Sequence, residues 1–143
     1  MKPYHNIVII NGPNLNLLGL REPEIYGTQT FESYFDQLKE QFPELNLAYE
    51  QTNSEGKIID LIQEYGLNTW AIILNAAGYT HTSIAIRDAV KAIPEMLVEV
   101  HISDIHSRED FRKHSYITEV ASHAIIGEGL DGYRQAIDWL ITS

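Results

Sequence analysis

Two short, unbroken apolar runs do most to limit what this chain can become: Ile7-Val8-Ile9-Ile10 and Trp70-Ala71-Ile72-Ile73-Leu74. A strand sends successive side chains to opposite faces, so a run that is apolar at every position must be covered on both. Strands of that kind belong to parallel sheets flanked by helices. The remaining pattern supplies those helices. Phe31, Tyr34, Phe35, Leu38 and Phe42 recur at helical spacing ahead of Pro43. Ile58, Ile59, Leu61, Ile62 and Tyr65 mark a second helix, with Gly66 expected as its C-terminal cap. A third is expected over about residues 83–93, ending at Pro94, and a fourth carries Leu130, Tyr133, Ile137, Leu140 and Ile141. Strand patterns at residues 45–49, 96–102 and 123–126 lie between them. Strands alternating with helices through short connections imply right-handed crossovers. The expected fold is therefore α/β, a flavodoxin-like three-layer sandwich around a five-stranded parallel sheet.

No repeat, linker or low-complexity stretch breaks the pattern, so residues 1–143 are expected to form a single domain. The chain has no cysteine, which removes disulfides, thiolate nucleophiles and sulfur-ligated metals together. The N-terminus runs into the first strand without a signal-peptide core, and no apolar run is long enough to span a bilayer. A cytoplasmic protein is expected. Twenty acidic residues against ten basic give a net charge of −10, which argues against nucleic acid and anionic membranes as partners. A small anionic ligand stays compatible. Arg21, Arg108 and Arg112, three of the five arginines, fall in or beside loops expected to carry a site.

The first strand leads into Asn-Gly-Pro-Asn-Leu-Asn-Leu-Leu-Gly-Leu-Arg-Glu-Pro-Glu-Ile-Tyr-Gly, residues 11–27. Open α/β sheets place ligands at such polar loops beyond the C-terminal ends of their strands. Arg21 and Tyr26 lie between Gly19 and Gly27, which suits a small mobile lid at about residues 19–29. Other strand ends bring Gln51, Asn53 and Asn75 to the same edge, and Glu99 and His101 share one face of the fourth strand at i, i+2. Any one asparagine suits a turn; their arrival from several strands together points to a ligand. His101 stands out among the histidines, because Glu99 could orient its ring. His81, His101, His106 and His114 lack a tight metal-ligand spacing, and no lysine has the buried setting of a Schiff-base amine. Taken alone, these residues fit an acid–base enzyme. They also leave open a non-catalytic module for a small carboxylate or polyol, or a histidine-dependent metallohydrolase.

Four ordered blocks now carry a resemblance over essentially the whole chain: residues 11–27, Gln-Thr-Asn-Ser-Glu-Gly at 51–56, residues 75–89 and residues 98–116. Together they closely resemble the type II 3-dehydroquinate dehydratases, or type II dehydroquinases. The resemblance implies dehydration of 3-dehydroquinate to 3-dehydroshikimate by anti elimination through an enolate, in the shikimate pathway or in quinate catabolism. It implies no metal and no organic cofactor. By the same resemblance Tyr26 is the base, Arg21 assists it, Asn14 stabilises the enolate through a bound water, and His101, held by Glu99, is the general acid. Arg108 supports the site. Substrate contacts fall on Asn75, His81, Asp88, Ile102, Ser103 and Arg112. The implied partners are the substrate and further copies of the chain, as trimers packed into a dodecamer with a neighbour's residue closing each site. Three positions depart from the common family pattern: Ala76 where proline is usual, Ser54 where histidine is frequent, and Asp104 where asparagine is frequent. Asp104 is expected to add negative charge beside an anion pocket.

The chemistry is consistent on its own terms. Eliminating a β-hydroxyl next to a ketone needs a base, an enolate stabiliser and an acid for the leaving oxygen. An ordinary tyrosine, with a pKa of about 10, is too weakly acidic to act as a base near neutrality, and a nearby guanidinium brings it toward the useful range. An asparagine amide donates to the developing oxyanion without adding charge.

Overall fold

A computed structural model of the protein describes residues 4–20, 23–26 and 28–142. Among these, five strands form one parallel sheet in the order β2-β1-β3-β4-β5, which is the flavodoxin-like arrangement. The strands are β1 (Asn6–Asn11), β2 (Asn46–Gln51), β3 (Ala71–Asn75), β4 (Leu97–His101) and β5 (His123–Ile126). The long helices are α2 (Phe31–Gln41), α3 (Glu55–Gly66), α4 (Ile84–Ala92) and α5 (Asp131–Thr142), and a one-turn helix α1 spans Pro23–Tyr26.

The unbroken apolar strands lie in the middle, as two-sided covering requires: β3 and β4 are buried at every residue, β1 at all but its first. Their alternation feeds two cores. Ile7, Ile9, Ile73 and Val100 pack with Phe31 and Leu38 of α2 and Tyr133 and Ile137 of α5. Val8, Ile10, Ile72 and Leu74 pack on the other face with Ile58 and Ile62 of α3 and Ile86 and Val90 of α4. Each fully buried side chain of this size contributes about 1.5–3 kcal/mol. The edge strands β2 and β5 are only partly covered.

Serine and threonine start three of the helices. Thr30, Ser54 and Ser83 accept from the backbone N–H groups of Ser33, Lys57 and Ile86. Ser54, one of the three departures, therefore caps α3. Gly66 corrects an expectation. It is the last residue of α3, is buried, and does not adopt a left-handed cap conformation. A Cβ there would meet Cγ2 of Ile93 at 2.6 Å, so glycine is needed for α3 to approach the end of α4.

Candidate active site

The sheet order reverses at β1, with β2 on one side and β3 on the other, and the crevice beyond such a switch point is where this architecture binds ligands. Asn11 and Asn75, the last residues of β1 and β3, stand side by side in register. The two loops that follow are in close contact. The Gly12 N–H donates to the Asn75 carbonyl at 2.8 Å, and a Cβ on Gly12 would meet the Ala76 carbonyl oxygen at 2.8 Å. Only glycine permits that approach.

Between these loops and the end of β4 lies a cavity of about 130 Å³. Asn14, Asn75, His81 and His101 line it, together with Ile102, Ser103, Arg108 and Arg112. Asn14 has a left-handed backbone, φ 70°, and its side chain makes no capping bond to the 3-10 turn that it opens. Asn53 Oδ1 accepts the Asn14 N–H at 3.1 Å and the Gln51 amide at 3.2 Å, which ties the loop to the end of β2.

His101 and Glu99 form a buried pair, with Nε2 and Oε2 2.6 Å apart. Glu99 also accepts from the hydroxyls of Ser115 and Thr118. Burial alone would raise this carboxyl, but His101 and the two hydroxyls outweigh it and hold it below the ordinary carboxylate range. An ionised Glu99 can only accept, so Nε2 must carry a hydrogen. Proton exchange at His101 is thereby left to Nδ1.

His81 Nδ1 donates to the His114 carbonyl at 2.8 Å, leaving Nε2 as the free nitrogen. Burial, with the charges of His101 and Arg112, outweighs that bond and lowers its pKa, which favours the neutral ring. Two guanidinium groups complete the wall. Glu109 bridges them, 3.1 Å from Arg112 Nε and 3.6 Å from Arg108 Nε. Two arginines and no carboxylate thus line the cavity among the described residues, although the chain carries a net charge of −10. That suits a ligand bearing a carboxylate.

Other sequence candidates are not among these lining residues. Arg21 and the Tyr26 side chain are outside the described residues; only the backbone of Tyr26, ending α1, is placed. Gly19, at φ +93°, packs against Thr28, whose carbonyl oxygen a Cβ would meet at 2.7 Å. Asp88 does not line the cavity of its own chain; it is exposed on α4, 3.6 Å from Arg87. Asp104 stands between the lining residues Ser103 and Ile105 without itself lining the cavity; its Oδ1 accepts the His106 N–H at 3.0 Å, capping a 3-10 turn. Ala76 is buried and helical in backbone, and Ala77 after it takes φ 53°.

Several contributors had escaped sequence reasoning. Ser115 and Thr118 clamp Glu99, and their serine-x-x-threonine spacing was the available signal. Tyr133, read from its spacing as core, donates through its hydroxyl to Asn11 and accepts from Asn75. A phenol on the inward face of an otherwise apolar helix needs a polar partner, which was the clue. Among the described residues, no group of three histidine, aspartate or glutamate side chains is arranged to hold a metal ion, and no helix is long and apolar enough to cross a membrane.

Comparison with known proteins gives one consistent answer. The family described as dehydroquinase class II matches residues 5–141. A protein of Fusarium vanettenii named catabolic 3-dehydroquinase 1 is 48% identical over 139 residues, covering 96% of both chains. A 3-dehydroquinate dehydratase of Buchnera aphidicola is 48% identical over 140 residues, 96% of this chain and 93% of that one. Among solved structures, the type II dehydroquinase of Butyrivibrio crossotus superposes with a TM-score of 0.92 at 43% identity, covering 97% of this chain and 99% of that one.

Proposed function

The chain belongs to the class II dehydroquinase family, hydro-lyases that bear the name 3-dehydroquinate dehydratase, and we propose that it dehydrates 3-dehydroquinate by anti elimination through an enolate. The observation that supports this most directly is the buried Glu99–His101 pair at the wall of a cation-lined cavity. It offers an imidazole whose one exchangeable nitrogen, Nδ1, can protonate a leaving hydroxyl.

In this reading Tyr26 removes the proton α to the ketone, and Arg21 lowers the tyrosine's pKa and stabilises the developing charge. Asn14 stabilises the enolate through a water, and Arg108 supports the site. The substrate's carboxylate and hydroxyls are held by Asn75, neutral His81, Ile102, Ser103 and Arg112. Residues 19–29 act as the lid of a single catalytic domain. Asp88 does not line its own cavity, so its contact comes from a neighbouring copy, in trimers assembled into a dodecamer. The enzyme works in the cytoplasm without metal or organic cofactor. Its reaction serves the shikimate pathway or quinate catabolism, which share it.

The test is Tyr26→Phe and Arg21→Ala, assayed with 3-dehydroquinate alongside circular dichroism. Both variants should stay folded and lose turnover. A near-wild-type rate in either removes Tyr26 as the base.

A further inference from the structure

Asn75 is 4% exposed, and its amide is constrained from two sides. The Ala77 N–H donates to its Oδ1 at 3.1 Å, and its Nδ2 donates to the Tyr133 hydroxyl at 3.0 Å. Tyr133 in turn donates to Asn11 Oδ1 at 2.8 Å. A phenol has one hydrogen to give, and this one goes to Asn11, so Tyr133 must meet Asn75 as an acceptor. The backbone N–H of Ala77 sets the direction of the whole chain of bonds, because it can only donate. With both partners in place the Asn75 amide cannot turn over, and its second N–H is left for the cavity.

Ring packing alone does not call for the relay. Tyr133 is fully buried, with its ring edge-on to Phe31 at 4.9 Å and to Tyr34 at 6.3 Å, and a phenylalanine would keep that packing. Asn11 is also fully buried, and among the described residues its Nδ2 faces the Tyr49 hydroxyl without closing a well-formed hydrogen bond. A buried donor so loosely held adds little to the stability of the fold. What Asn11 provides is the acceptor that turns Tyr133 toward it.

We infer that Tyr133, oriented by Asn11, is a positioning residue that fixes the Asn75 amide with an N–H toward the substrate, so that this edge of the site selects for a ligand oxygen that accepts. The inference rests on the reading of Asn75 as a substrate contact. It makes α5, which lines no part of the cavity, a determinant of substrate affinity.

The experiment is steady-state kinetics with 3-dehydroquinate on the intact protein carrying Tyr133→Phe, Asn75→Ala or both. Tyr133→Phe should raise KM about tenfold, the effect of one misdirected hydrogen bond, with kcat nearly unchanged. In the Asn75→Ala background the same change should add less than about twofold, because its route to the substrate is gone. A full Tyr133→Phe effect persisting without Asn75 overturns the inference and leaves the substrate-contact reading intact. Wild-type kinetics for Asn75→Ala overturns that reading, and the inference with it. Should Tyr133→Phe not fold, Asn11→Leu serves instead. It should raise KM while circular dichroism shows the fold retained; an unchanged KM overturns the inference.

Discussion

Glu99 is a carboxylate in the protein interior whose oxygens accept from one imidazole and two hydroxyls. Its folded pKa lies below its unfolded one, so the stability it contributes is present above the ordinary carboxylate range and is lost as pH falls through the lowered value. His101→Ala removes the largest of the effects that lower it and leaves burial, which raises it. The variant should therefore begin to lose stability at a higher pH than wild type, read as urea midpoints from pH 7 down to pH 3, and its kcat should fall by on the order of 10²–10⁴. Superimposable pH profiles would show that the pair is not coupled as described. At this scale the sequence was legible where two chemical groups sit two residues apart on a strand, as Glu99 and His101 do. It was less legible for Ser115, Thr118 and Tyr133: a serine-x-x-threonine spacing and a phenol on an apolar helix face each ask for a polar partner, but neither names one that is distant in sequence.

At the scale of elements, continuous apolar runs and helical spacing located β1, β3 and the four long helices, because covering on both faces leaves few alternatives. Gly66 was misread because its reason lies in another helix. A glycine at a helix end suggests a cap, whereas here it makes room for Ile93. Helix propensity alone predicts that Gly66→Ala gains about 1 kcal/mol. The clash predicts the opposite, a loss of about 1–3 kcal/mol in urea unfolding, with part recovered when Ile93→Ala is added. A stabilising Gly66→Ala would mean that α3 and α4 have freedom to separate. The three departures from the family pattern belong to this scale too. Ser54 and Asp104 act as helix caps.

The molecule as a whole combines a strongly acidic body with a cation-lined crevice at the sheet's switch point, and from a single chain that crevice lacks Asp88. Where a neighbour supplies Asp88, two impaired variants should rescue each other. Mixed oligomers of Asp88→Ala and Tyr26→Phe should regain activity at up to about a quarter of their sites, because half the subunits keep the base and half of their neighbours keep the carboxylate. No recovery on mixing would return Asp88 to its own chain or to the solvent. The most direct test of the central claim is simpler. The purified protein is given 3-dehydroquinate while the ultraviolet absorbance of the conjugated enone product is followed, with and without a metal chelator. The account predicts a rise that the chelator does not alter. A folded protein that binds the substrate without any rise would contradict it and point to recognition without catalysis.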